Sequence, residues 1–384
     1  MAQYIWQTPG WPDLSFNSLM LLEPLGRARL MQGRLLGKAQ YAGINLHADI
    51  LTEEAFTTAA IEGEILDRDS IRSSVARRLG LPSAGLSVRD RNADGLVEML
   101  LDATIGHDRP LTIDRLKSWH ATLFPTGYSG MDRITVADWR KGSVRVVSGP
   151  VGKERIHFEA VPARRIESDI SLLLKWWIES QEKKMDGLIR AGLAHFRFVT
   201  IHPFDDGNGR IARALADMAL AQDEANGMRM YSMSSQIMKE RDDYYTVLEK
   251  TQKGTSDVTQ WLIWFLECLT RSMRRAEEGI KSVMDSAVFW KKHALTGLNN
   301  RQRKVVNRLL DEGPDGFEGG LTNRKYVSMT KTSRETAKRD IADLIEKGIL
   351  RKNPGRGRST SYHLVMSQND TVADMTLEQG EYDL

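Results

Sequence analysis

Within nine positions, His202-Pro203-Phe204-Asp205-Asp206-Gly207-Asn208-Gly209-Arg210, the chain sets a histidine, two carboxylates, a glycine-flanked turn and an arginine. Those are the parts needed to move a phosphate-linked group. His202 is a proton acceptor, Asp206 a metal ligand, Gly207-Asn208-Gly209 a backbone cradle for an anion and Arg210 a phosphate clamp. A Gly-Asn-Gly run also serves as a common turn between helices. That reading leaves His202, Asp206 and Arg210 together without a reason. Phe204 reads as a core side chain fixing the loop, and Asp205 as solvated.

These residues need elements to aim them. Residues 188–200, LIRAGLAHFRFVT, place Leu188, Gly192, His195 and Val199 on one helical face. Pro203 disfavours helical geometry at the residue before it, so the helix should end near Ile201 and His202 should open a loop. Gly207-Asn208-Gly209 can aim successive N–H groups at one point. A following helix, expected to start near Arg210, adds its positive end, which makes an anion nest. His195 reads as a core histidine satisfied by a hydrogen bond in preference to a second metal ligand.

The nine residues resemble the signature of the Fic family, His-Pro-Phe-x-Asp/Glu-Gly-Asn-Gly-Arg, at every defined position. The resemblance implies transfer of AMP from ATP to a hydroxyl of another protein, with Mg²⁺ as the metal. His202 would then be the base, since its ordinary pKa lies near 6.5. Asp206 would ligate Mg²⁺ together with phosphate oxygens and waters. Asn208 and the Gly207 and Gly209 amides would hold the α-phosphate, and Arg210 the β-phosphate side. By the same resemblance Arg213 would bind the γ-phosphate end, and Tyr244 and Tyr245 would line the adenine pocket.

Thr58-Ala59-Ala60-Ile61-Glu62-Gly63 is similar to the family's inhibitory motif, Ser/Thr-x-x-x-Glu-Gly/Asn. It lies on an expected helix over 51–63, with Thr52 as N-cap, Glu53 and Glu54 in the first turn and Gly63 at the end. Thr58 and Glu62, four apart, share a face. Glu62 paired with Arg213 would deprive the γ-phosphate of its partner and misalign the α-phosphate. In some relatives the same glutamate supports removal of AMP. Val144, Val146 and Val147, then Ser148-Gly149-Pro150, then Ile156 and Phe158 indicate a β-hairpin over about 143–158, in the place of the family's target-docking flap.

The chain has 384 residues, 41% hydrophobic and 27% charged, and a net charge of +3. That suits a soluble protein of two or three domains. Cys268, the only cysteine, excludes an intramolecular disulfide and reads as a buried thiol in a reducing, cytoplasmic setting. The first residues lack the pattern of a signal peptide, and no apolar run nears the ~18 residues of a membrane span, so no membrane partner is expected.

The expected fold is mainly α: a helical Fic core with a β-hairpin flap, plus a C-terminal winged-helix domain. The boundaries are 1–50 for an N-terminal helical module anchored by Tyr4, Trp6 and Trp11, with one helical stretch from Ser18 to His47. Residues 51–280 form the Fic domain, 300–365 the winged helix and 366–384 an acidic tail. From 321 to 364 there are eleven Lys/Arg against four Asp/Glu. Arg334, Lys338 and Arg339 fall on the third helix, and Arg356 and Arg358 on the wing. The module fits DNA phosphates or, equally, a protein partner. A homodimer is implied by resemblance alone. The competing functions are a DNA-binding transcription regulator whose core senses nucleotide, and a transferase with another nucleotide donor.

Overall fold

The structure, a computed structural model, describes residues 4–38, 43–82, 90–148, 155–311, 319–354 and 360–366. The chain divides into two compact units, Met1–Ala276 and Glu277–Leu384. The first begins with helices α1 (Ser18–Leu36), α2 (Ile44–Ile61), α3 (Arg68–Arg78), α4 (Arg91–Thr104) and α5 (Ile113–Leu123). Two antiparallel hairpins follow, β1 (Tyr128–Ser129) with β2 (Asp132–Arg133) and β3 (Arg145–Ser148) with β4 (Arg155–Glu159). Then come α6 (Ile166–Glu182), α7 (Gly187–Ile201), α8 (Asn208–Glu224), α9 (Met233–Lys239), α10 (Arg241–Gln252) and α11 (Thr259–Lys292), which runs on into the second unit.

At the centre α7 packs on α8. Asp186 caps α7, its carboxylate accepting from the Leu188 and Ile189 amides. Every residue from Gly187 to Ile201 is buried, which suits a helix apolar nearly all round. Gly192 permits that depth: a Cβ there would meet Leu262 at 2.9 Å, and its carbonyl accepts from Trp261 Nε1 at 2.8 Å. The helix stops at Ile201, as Pro203 requires, and His202 turns left-handed with φ 53° and ψ 60°. Outside this centre, the N-terminal aromatics hold the second hairpin. Tyr4 meets Phe158 edge-on at 5.3 Å, and Trp6 Nε1 donates to the Glu159 carbonyl at 2.7 Å.

Several boundaries differ from expectation. The stretch Ser18–His47 is two helices, and α2 starts at Ile44, so a boundary at 50/51 falls inside it. Thr52 is therefore buried mid-helix, its hydroxyl donating to the Ala48 carbonyl, and Gly43 is the N-cap. The end is as expected, with Gly63 left-handed at φ 81°. The motif helix begins at Asn208, two residues before Arg210. The hairpin β3–β4 forms with Val146 opposite Phe158, while its turn lies outside the described residues.

The second unit starts earlier than residue 300, because Phe289 of α11 belongs to its core with Val305, Leu321, Tyr326, Ile341 and Leu344. Helices α12 (Asn300–Asp311), α13 (Asn323–Thr330) and α14 (Arg334–Glu346) precede the antiparallel pair β5 (Leu350–Lys352) and β6 (Tyr362–Leu364). Ser333 caps α14, and Leu321 exchanges two 2.8 Å backbone hydrogen bonds with Tyr362. Arg356, Arg358 and the acidic tail lie outside the described residues. Among the described residues no helix is long and apolar enough to cross a membrane.

Candidate active site

His202 takes its place from both sides of its ring and backbone. Nδ1 lies 3.1 Å from the Val199 carbonyl. A carbonyl only accepts, so Nδ1 carries the proton and Nε2 keeps a free lone pair. Burial pushes the imidazole below its ordinary pKa, Arg140 adds to this, and Glu62 and Asp206 pull the other way. The backbone is held by Arg140, which sequence reasoning missed. Its guanidinium is buried and donates to the carbonyls of His202 (2.7 Å), Gly142 (2.6 Å) and Val161, while its own amide donates to Pro203 O at 3.0 Å. It thus ties both bases of the β3–β4 hairpin to the histidine turn.

Phe204 is fully buried, stacks on His120 at 4.1 Å and meets the tilted Trp139 ring at 4.9 Å, so the loop is anchored as expected. Asp205 departs from its solvated reading: its carboxylate is half-buried and accepts from the Thr135 amide at 2.9 Å. Asp206 accepts from Ser129 at 2.5 Å and from the Gly207 amide at 2.6 Å. Burial raises its pKa, but the Ser129 hydrogen bond and the Arg210 charge outweigh that and leave it below the usual carboxylate range. Ser129 sits on the short β1–β2 hairpin, another element the sequence reading missed. Gly127 and Gly130, both left-handed, were its signal.

Gly207 is left-handed at φ 80°, and no side chain caps α8. The first-turn amides are therefore left for an anion. Asn208 differs from expectation: its side chain accepts from the Phe204 amide and donates to the Phe204 carbonyl, both at 2.9 Å, so it locks the loop and brings only its backbone to the cradle. A Cβ on Gly209 would collide with the Glu62 carboxylate. Glu62 thus stands at the mouth of the cradle.

Both arginines already face carboxylates. Arg213 pairs with Glu62 at 2.8 Å and donates to the Thr58 hydroxyl at 2.7 Å and the Thr58 carbonyl at 3.0 Å. Arg210 pairs with Glu64, which the sequence reading passed over, and lies over the Phe124 ring. Burial raises the Glu64 pKa while Arg210 opposes it. Arg210 Nε and Arg213 Nη1 remain buried without a hydrogen-bond partner. Those orphaned donors, the free amides and the accessible Asp206 fit a polyphosphate with one divalent ion. Among the described residues no group of three or more His, Cys, Asp or Glu could hold a metal by itself.

Tyr244 and Tyr245 separate. Tyr244 is buried in an aromatic cluster with Trp261 and Trp264, its hydroxyl 3.3 Å from His195 Nε2, so it packs beneath the site and does not line an open pocket. Tyr245 is half-buried and donates to the Ile61 carbonyl at 3.3 Å, beside the inhibitory segment. His195 is a core histidine as expected, stacked on Trp261, with its pKa driven by burial down to about 3.

Residues 110–220 match the Fic/DOC family, and residues 4–81 match a domain of unknown function, DUF4172. The chain is 26% identical over 170 residues to the protein adenylyltransferase fic-1 of Caenorhabditis briggsae, covering 43% of this chain and 31% of that protein. It is 23% identical over 225 residues to the protein adenylyltransferase Fic of Nematostella vectensis, covering 58% and 47%. The chain spans less than half the length of these relatives. A Fic family protein from Desulfovibrio desulfuricans G20 shares the fold, with a TM-score of 0.56 at 17% identity over 93% of this chain and 99% of that one.

Proposed function

The chain carries a domain of the Fic/DOC family, and from that premise we propose that it is a self-inhibited protein adenylyltransferase. One observation carries the reading: the histidine turn and the uncapped start of α8 converge with two buried arginines on a single anion cradle. His202 Nε2 takes the proton of a Ser, Thr or Tyr hydroxyl as its oxygen attacks the α-phosphorus. The bond to the bridging oxygen breaks, and pyrophosphate leaves. The α8 amides hold the α-phosphate, while Arg210 and Arg213 hold the β and γ groups and stabilise the departing charge. Asp206, steadied by Ser129, would hold Mg²⁺, which supplies charge neutralisation across the phosphates when bound.

Glu62 is the brake. Its carboxylate occupies Arg213 and stands against Gly209, where a γ-phosphate would meet a negative charge and lose its partner. Glu64 extends the brake to Arg210. Hydrolysis of the AMP link through Glu62 would use the same site. The test is intact-mass analysis of target proteins in a cytoplasmic lysate incubated with Glu62→Gly chain and ATP. Added AMP supports the reading, and modification only with a different nucleotide moves it to another donor.

A second reading has its own observation. In the second unit the Asp340 and Asp343 carboxylates are spent internally, while Glu335 and Glu346 stay exposed. Asp340 accepts from Arg301 and from the Tyr326 hydroxyl, both at 2.9 Å, and Asp343 pairs with Lys347. Arg334, Lys338 and Arg339 of α14 stay exposed. A winged helix with that basic face would bind DNA phosphates, and a duplex footprint that survives His202→Ala would favour a regulator over an enzyme.

A further inference from the structure

Under the brake lies a buried ionic cluster that the proposed transfer does not use. Asp217 sits on α8 one turn beyond Arg213, and Glu54 on α2 one turn before Thr58, so both follow the faces that meet at the Arg213–Thr58 contact. Glu54, Asp217, His47 and Arg229 are buried, as is the Glu224 side chain. The first four, with Tyr231 and with Leu100 and Thr104 of α4, line a cavity of about 10 Å³, room for a single water.

Three carboxylates face one guanidinium here. Arg229 approaches Asp217 Oδ1 at 3.1 Å and Glu224 at 3.6 Å. His47 adds no charge: its Nδ1 faces the Arg229 carbonyl at 3.4 Å, and burial lowers its pKa. Arg213, the next cation, is matched by Glu62. Glu54 is well supplied with donors, from the Ser232 hydroxyl at 2.8 Å, the Ser234 amide at 3.0 Å and the Ser234 hydroxyl. Glu224 accepts from Tyr231 at 2.6 Å and from Gln32 at 3.2 Å. Among the described residues the Asp217 carboxylate meets only the Arg229 guanidinium. Unmatched negative charge in a dry site is costly, so Asp217 is where a proton resides. Burial first, then the Glu54 charge, holds its pKa up at about 8.

We propose that Asp217 and Glu54 are a proton-operated latch on the brake. With the proton in place α2 stays seated on α8, and Glu62 on Arg213. When it leaves, like charges push α2 off α8 and free Arg213 for nucleotide. The inference rests on the reading of Glu62 as a brake and adds what controls it. The seated state keeps its proton up to about pH 8, whereas a hydrated aspartate loses it near ~4. Rising pH therefore favours release between those values, and no further above about 8. Burial holds His195, His120 and His202 below their ordinary pKa, so all three are neutral from pH 7 upward and leave this range to the latch.

The experiment is calorimetry of ATP with Mg²⁺ on the full chain at pH 7 and pH 9. Wild-type affinity is expected to tighten about tenfold, since the competent fraction grows as one proton is lost. Asp217→Asn keeps an oxygen for Arg229 but cannot ionise, and its affinity is expected to stay at the weak wild-type value of pH 7. Glu62→Gly is expected to bind tightly at both. If Asp217→Asn fails to fold, Glu54→Gln decides, because without the neighbouring charge the rise should shrink. Wild-type affinity that ignores pH, beside a tight Glu62→Gly, overturns the latch and leaves the brake standing. A rise undiminished in the variant overturns it too. Glu62→Gly binding no tighter than wild type at pH 7 faults the brake itself, and the latch falls with it.

Discussion

At the residue scale the chemistry turns on how His202 is kept neutral and how two arginines are kept occupied. The His202 pKa lies below 6.5, so the imidazole is a competent base at neutral pH. Activity should fall only as pH drops through that lowered value. Glu62→Gly removes a negative charge that raises it, so the acid limb of the pH–rate profile should move further down; a limb that moves up contradicts the assignment. Glu62→Gly also leaves buried Arg213 one partner short. We expect the variant to lose about 1–3 kcal/mol of stability while gaining on the order of 100-fold in transfer rate. Adding Glu64→Gln should tighten ATP binding beyond the single variant, as calorimetry would read, because Arg210 is then released as well. The nine-residue motif singled out His202, Asp206 and Arg210, and the family resemblance singled out Arg213, Thr58 and Glu62, which lie in contact in the structure. Glu64 was hidden because it follows the helix, where no periodicity points. The Asn208 contact to Phe204 was not legible, because an amide beside two glycines reads as a ligand contact, whereas in the structure its side chain closes the turn.

At the element scale the site depends on a strap between hairpin and turn. Arg140 joins Gly142 and Val161, on either side of β3–β4, to the His202 carbonyl. Arg140→Lys keeps the charge but loses the fork geometry. We expect kcat to fall at least ~10-fold with ATP affinity nearly unchanged, since misplacement of the base, not of the nucleotide, is the defect. An equal loss in both would sink the positioning role. The same packing sets the acid stability of the centre. His195 and His120 are held by burial at about 3 and about 4. The unfolded chain binds protons there from ~6.5 downward and the folded chain does not, so stability should decline as pH falls from about 6.5 towards 4. Urea unfolding at pH 7 and pH 5 checks the sign. Helices α7 and α8 were legible because Pro203 and the glycines punctuate them. The start of α2 was not, because Thr52 and its acidic neighbours imitate a cap while tertiary burial carries the helix through them.

At the scale of the whole molecule two units share one chain, and their order was legible from composition and turn signals. The extent of α11 was not, because a polar surface on a long helix reads as a linker. If the second unit binds DNA through α14, affinity should drop on the order of 30–100-fold between 50 and 200 mM salt, as about three phosphate contacts require, and Arg334→Glu/Lys338→Glu should abolish it. The central claim concerns the first unit. The direct measurement is transfer of label from ATP tagged on its α-phosphate, comparing wild type, Glu62→Gly and Glu62→Gly/His202→Ala with cytoplasmic lysate. Label on protein with the single variant, little with wild type and none with the double is the predicted result. Label that persists without His202, or no gain on releasing Glu62, contradicts the account.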